Sequence, residues 1–196
     1  MKMKIVVWLI VTLFFNAAMA QVPYVQYIKK YQKDYVSNHE VVKKGDKKYF
    51  KFFPASGDYK IEASFTKISD TVGFMMPTSG KSPRRYFRYG YVSFSLDGKP
   101  LKLTVFQSKD LMSDPAYRDY LFLPFTDLTS GEESYGGGRY IDLEMKDIRN
   151  NKVIIDFNKA YNPYCAYSTG YNCPVPPREN DLPVAVKAGE KNFGKH

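Results

Sequence analysis

The segment YVSFSLDGKPLKLTVF, residues 91–106, constrains the fold more than any other part of the chain. Apolar residues recur at every second position on both sides of Asp97-Gly98, the dipeptide favoured in two-residue hairpin turns. Counting outward from that turn, Phe94 faces Leu101 and Val92 faces Leu103, so turn chemistry and apolar pattern give one register. A chain built this way must bury one face of a sheet.

The same period continues elsewhere. In residues 59–66, Tyr59, Ile61, Ala63 and Phe65 alternate with Lys60, Glu62, Ser64 and Thr66, which predicts a half-buried strand. The turn PASGD precedes it, after an aromatic strand expected over 48–53. RYIDLEM (139–145) is expected to pair with VIIDFN (153–158) across the turn RNNK, and LPVAVKA (182–188) reads as a last strand. Only residues 24–36 break the pattern. There Tyr24, Ile28, Tyr31 and Tyr35 share one helical face, predicting an amphipathic helix docked by its tyrosines. Without Leu or Trp on that face, it is a poor membrane-surface helix. No strand–helix alternation and no internal repeat appears. The expected fold is therefore all-β, an antiparallel barrel or sandwich of about eight to ten short strands with one N-terminal amphipathic helix. Short connections favour the barrel.

The chain opens MKMKIVVWLIVTLFFNAAMA. Lys2 and Lys4, the apolar run Ile5 to Phe15 and the small-ended Ala18-Met19-Ala20 read as a secretory signal peptide, residues 1–20. One β-rich domain, 21–196, is expected to follow. Gln21 rather than cysteine follows the cleavage site, which argues against a lipid anchor, and no transmembrane segment is expected in the mature chain. The expected location is periplasmic or extracellular. Loss of Lys2 and Lys4 lowers the formal charge from +9 to +7. The remaining basic pairs are scattered, which suits a solubilising surface or an anionic envelope surface as partner; nucleic acid is not expected there.

Cys165 and Cys173 are the two cysteines. In an oxidising compartment such a pair predicts a disulfide. A zinc site would want four ligands, and the only imidazoles are His39 and His196, so neither metal nor cofactor is expected.

Polar groups concentrate in 124–144 and 157–180. Asp127, Tyr135, Arg139, Tyr140, Asp156, Asn158, Tyr161 and Asn162 are the candidate ligand-binding residues. Arg139 offers a bidentate guanidinium to an anion. Gly136-Gly137-Gly138 allows close backbone approach, but no Lys-Ser/Thr follows, so it reads as a turn rather than a phosphate loop. If 139–145 and 153–158 pair, Ile141, Leu143, Val153, Ile155 and Phe157 share the core face, and Tyr140, Asp142, Asp156 and Asn158 point away. Asp127 and Asp156 form the natural pair for glycoside hydrolysis. No histidine placement or elbow motif supports a serine triad.

These residues also carry a likeness. FTDLTSGEESYGGGRYIDLE, DFNKAYNPYCAYSTGYNCPVPPREN and LPVAVKAGEKNFG resemble the bacterial family filed as domain of unknown function 1684. Its order Phe-x-Asp-x-Thr, Tyr-Gly-x-Gly-Arg-Tyr, Asp-Phe-Asn-x-Ala-Tyr-Asn-Pro, Cys, Cys-Pro, Asn and Ala-Gly-Glu falls here on Phe125 through Glu190. Before the first strand, Lys47, Tyr49 and Phe50 stand where the family has Phe-x-Gly-Leu. The resemblance implies a common β-rich fold and brings no activity.

The reading that follows is a non-catalytic binding domain for a small polar or anionic ligand in the cell envelope. Arg139 would make the anion contact, and Tyr135, Tyr140 and Tyr161 would stack. The alternatives are an envelope hydrolase of glycans or esters using Asp127 and Asp156, and a structural or interaction protein.

Overall fold

Tyr24, Ile28, Tyr31 and Tyr35 do share a face, on a helix α1 spanning 22–38 in a computed structural model that describes residues 22–195. The expected signal peptide, 1–20, lies outside the described residues. Ile28 is fully buried and the three tyrosines are half-buried, so α1 docks as its periodicity predicts. No helix among the described residues is long and apolar enough to cross a membrane.

Eight strands follow. They are β1 (Lys60–Lys67), β2 (Phe74–Met76), β3 (Arg84–Leu96), β4 (Lys99–Ser108), β5 (Tyr120–Asp127), β6 (Arg139–Glu144), β7 (Lys152–Asp156) and β8 (Asp181–Leu182), with a one-turn helix α2 (Lys109–Met112) after β4. The order is β6-β5-β4-β3-β1-β7, with β2 added beside β3 and β8 beside β5. Every pair is antiparallel except β5 with β8. The sheet curls into a half-barrel, in agreement with the expected all-β class and N-terminal helix.

β3 and β4 realise the predicted hairpin. Phe94 pairs with Leu101 and Val92 with Leu103. Asp97 (φ 51°) and Gly98 (φ 73°) make the left-handed turn that matches strand twist. A bulge between Arg88 and Gly90 bends β3. Gly90 is needed there, because a Cβ would lie 2.3 Å from the Phe65 ring.

Three strand expectations are corrected. β6 pairs with β5, not with 153–158, and β7 pairs with β1 through Lys60–Asp156 and Ala63–Val153. The RNNK turn does form, with Asn150 and Asn151 left-handed, but it joins the two opposite edges of the curled sheet. Residues 48–53 are not a strand: Lys44–Tyr49 is a 3₁₀ helix, and Phe52 makes only an isolated bridge to Glu190. In 182–188 only Leu182 belongs to a strand, although Leu182, Val184, Val186 and Ala188 are all buried.

Curling gathers one face of every main strand into a core of Phe65, Val92, Leu103, Leu123, Ile141 and Ile155, closed by Val184, Val186 and Ala188. Burying side chains of this kind contributes roughly 1.5–3 kcal/mol each. On the opposite face, Met76, Tyr86, Phe106, Phe122 and Tyr140 form a second, aromatic cluster with Tyr120 and Tyr161 at its border.

Candidate functional site

Alternation along β6 decides where its side chains go. Ile141 and Leu143 face the main core; Tyr140 and Asp142 face the aromatic side. Arg139 shares the parity of Ile141 and is wholly buried. Its Nη2 donates to Asp127 Oδ2 at 2.7 Å and to the Val186 carbonyl at 2.9 Å, and its Nη1 donates to the carbonyls of Ala188 and Glu190. Asp127 Oδ1 accepts from the backbone N–H of Thr129 (2.8 Å) and of Val186 (3.1 Å). Both side chains are 0% exposed. Burial draws the Arg139 pKa below its ordinary value, and the Asp127 carboxylate opposes that. The pair fastens the C-terminal segment to the sheet. Arg139, expected to contact an anion, thus has its Nη groups committed to protein atoms and no exposed surface. Gly138 (φ 84°) makes the turn into β6, with no room for a Cβ beside the Phe125 carbonyl.

The other candidates separate into further places. Asp156 Oδ1 accepts from Tyr24 of α1 (2.7 Å), and from both the backbone and side-chain N–H groups of Asn158 (3.1 Å each). Asn158 also donates to the Tyr24 hydroxyl at 2.9 Å, so that with Asp156 it holds the start of α1 on the end of β7, and it bonds the Ser56 backbone. Asn162 donates its backbone N–H to Glu190 (3.0 Å) and its side chain to the Lys191 carbonyl (2.8 Å). Tyr135 borders a separate hollow with Lys51 and Lys191. Only Tyr140 and Tyr161 of the eight meet in one open cleft.

Glu190 was not among the candidates, although it stands in the Ala-Gly-Glu stretch. It is fully buried, and both carboxylate oxygens accept from Tyr167 at 2.7 Å, with Tyr35 of α1 at 3.4 Å. Burial pushes its pKa up to about 7, against the stabilising hydrogen bonds of Asn162 and Tyr167. His39 packs edge-on to Tyr167 and accepts from the Val42 N–H through Nδ1. Burial and Lys47 lower its pKa to about 4.

The cleft holds about 980 Å³ between α1, β6 and the loop that carries the cysteines. Tyr27, Tyr31 and Tyr35 of α1 form one wall; Tyr164, Tyr171 and Pro174 form the other. Tyr140 and Tyr161 exchange both backbone hydrogen bonds, at 2.9 and 3.1 Å, and their rings meet edge to face at 5.8 Å. The Tyr140 hydroxyl donates to the Pro174 carbonyl, which fixes floor to wall. Asp142 lies at the junction with two neighbouring hollows. Its Oδ1 accepts from both Tyr120 and Tyr161 at 2.6 Å. Among the described residues no donor reaches its Oδ2. The Asp142 side chain is exposed to solvent. Its pKa is raised by desolvation and held back by the two hydroxyls; burial, and after it the Asp142 charge, pushes Tyr31 up to about 12.

Cys165 and Cys173 lie at disulfide distance, with sulfurs 2.16 Å apart, and Cys173 lines the cleft. Such a bond is compatible with an oxidising compartment. Cys165→Ser/Cys173→Ser is expected to cost about 2–3 kcal/mol in urea unfolding on the chain-entropy model. A loss under about 0.5 kcal/mol would mean the loop is held by its other contacts alone.

Comparison with known proteins adds a family and a fold. A family model described as "Protein of unknown function (DUF1684)" matches residues 48–191, so α1 lies outside the matched segment. An uncharacterized protein of Haloarcula marismortui, solved in solution by NMR, is similar at 30% identity and a TM-score of 0.65. The similarity covers 89% of this chain and 97% of that one. No curated protein matches the sequence.

Proposed function

We propose that this chain, which belongs to the DUF1684 family of proteins of unknown function, is a non-catalytic binding domain taking a small polar ligand into the cleft beneath α1. The observation that carries the reading is Asp142, which lines the cleft: Oδ1 is fixed by two tyrosine hydroxyls, and no donor among the described residues reaches Oδ2. A pre-oriented acceptor flanked by aromatic rings suits a ligand with one polar group on an apolar body. Arg139 supplies no anion contact in this reading, since its Nη groups are committed in the interior. The hydrolase reading loses ground for the same reason: Asp127 is sealed in that ion pair.

Export also belongs to the proposal. It rests on the signal-like segment 1–20 and the cysteine pair, and it gives the basic single domain 21–196 an anionic envelope surface as neighbour.

The test is the native mass of protein exported through its own signal, in wild type and Asp142→Asn. Asparagine keeps an oxygen for Tyr120 and Tyr161, so its melting temperature should stay within about 2 °C. A bound mass on wild type that the variant loses, by about tenfold or more in affinity, is the expected result. Equal retention by the variant, or wild type that neither carries nor takes up any small molecule, would remove the reading in favour of a structural or interaction protein.

A further inference from the structure

We propose, on the basis of the cleft reading above, that the ligand is a small organic cation whose ammonium group sits against Asp142 and the surrounding tyrosine rings. Charge around the cleft supports this. Lys30 at the rim is paired with Asp34 of its own helix, and Arg84 with Asp110 at 2.9 Å. Glu40 and Asp142 have no ion-pair partner among the described residues. What remains uncompensated in the cleft is negative, on a chain whose formal charge is +9. The acidic character is therefore local and does not follow from composition.

Ring faces supply the second part. A cation is attracted to the face of a tyrosine ring, most strongly where water is partly excluded. Tyr31, Tyr140, Tyr161 and Tyr164 border the same cleft. The α1 wall already attracts one ammonium: Lys159 Nζ lies 5.0 Å from the Tyr27 ring centre and 5.3 Å from that of Tyr31, beside the neighbouring hollow. That lysine bonds the Tyr27 hydroxyl at 2.8 Å and makes no ion pair with Asp142. The imidazole of His39, with its lowered pKa, is neutral at physiological pH and adds no competing positive charge. An anionic ligand would instead meet the Asp142 carboxylate, and the described lysine and arginine that line the cleft, Lys30 and Arg84, are both already paired.

Choline and its uncharged isostere 3,3-dimethylbutan-1-ol separate charge from shape. In a ¹⁵N-resolved NMR titration of the mature protein, choline should shift the amides of Asp142 and Tyr161 saturably. The isostere should bind at least tenfold more weakly. Asp142→Asn should lose choline affinity by a similar factor, and Tyr31→Ala, which removes one ring from the rim, by a few fold. If the isostere matches choline, or if glucose or acetate shifts these amides and choline does not, the cation inference fails and the cleft reading stands. If no probe shifts them, both fail.

Discussion

Arg139→Met is expected to destabilise the protein by about 3–5 kcal/mol, because it strands the Asp127 carboxylate in the interior. It also leaves the carbonyls of Val186, Ala188 and Glu190 without their donor. Stabilities of single domains run to about 5–15 kcal/mol, so much of the folded population is at stake. Adding Asp127→Leu should recover the part due to the stranded charge. It should not recover the part due to the three carbonyls, nor the Thr129 and Val186 N–H groups that Asp127 accepts from. Urea unfolding of wild type, single and double variants measures both parts. A single-variant loss below about 1 kcal/mol would falsify the view of this pair as the fastening of the C-terminal segment.

Glu190→Gln should act in the opposite direction, and only above acid pH. Glu190 is raised from 4.5 to about 7 in the folded state. Between those values the native state holds a proton that the unfolded chain has lost. Stability from this group is therefore complete below about pH 4.5 and falls as pH rises through 7. Glutamine keeps an acceptor for Tyr167 and for the Asn162 N–H but cannot ionise. The variant should match wild type near pH 4.5 and exceed it by up to about 3 kcal/mol at pH 8. His39 works against this in the wild type. Its lowered pKa makes stability rise with pH from about 4 to its ordinary 6.5. The measurement is thus the difference between variant and wild type at each pH, from which His39 cancels. A constant difference would mean that Glu190 does not titrate in this range.

Much of this architecture is legible in the sequence where a local rule leaves one solution. Asp97-Gly98 sets both turn type and register, and β3–β4 forms as the alternation predicts. The tyrosine face of α1 and the cysteine pair are of the same kind. Partner choice is different, because alternation tells which face of a strand is buried and says nothing about its neighbour. Ile141 and Leu143 reach the core whether β6 pairs with β7 or with β5, so the pattern could not separate the two. In 182–188 the alternation also buries the right residues, but Val186 donates its N–H to a carboxylate and the ladder stops at Leu182.

The site shows the same division. Tyr140 and Asp142 point away from the core as read, and their cleft follows from that parity. Arg139 has the parity of Ile141 and Leu143, so consistent counting along β6 already places it inside. Glu190 gives no periodic signal. Its role depends on Tyr35 and Tyr167, brought together only by the docking of α1.

Strand order also bears on how the chain assembles. β3 and β4 close through two residues and should form early, with β5 and β6 added in sequence. β1 must wait, on its other side, for β7, which pairs residues 60–64 with 152–156. α1 waits longer, since Tyr24 is held by Asp156, and Tyr35 by Tyr167 and Glu190. During synthesis the helix is made before every element that retains it. Pulse-labelled hydrogen exchange during refolding should accordingly protect the β3–β4 amides first and the α1 amides last. Early protection of α1 would mean that it docks on a partly built sheet.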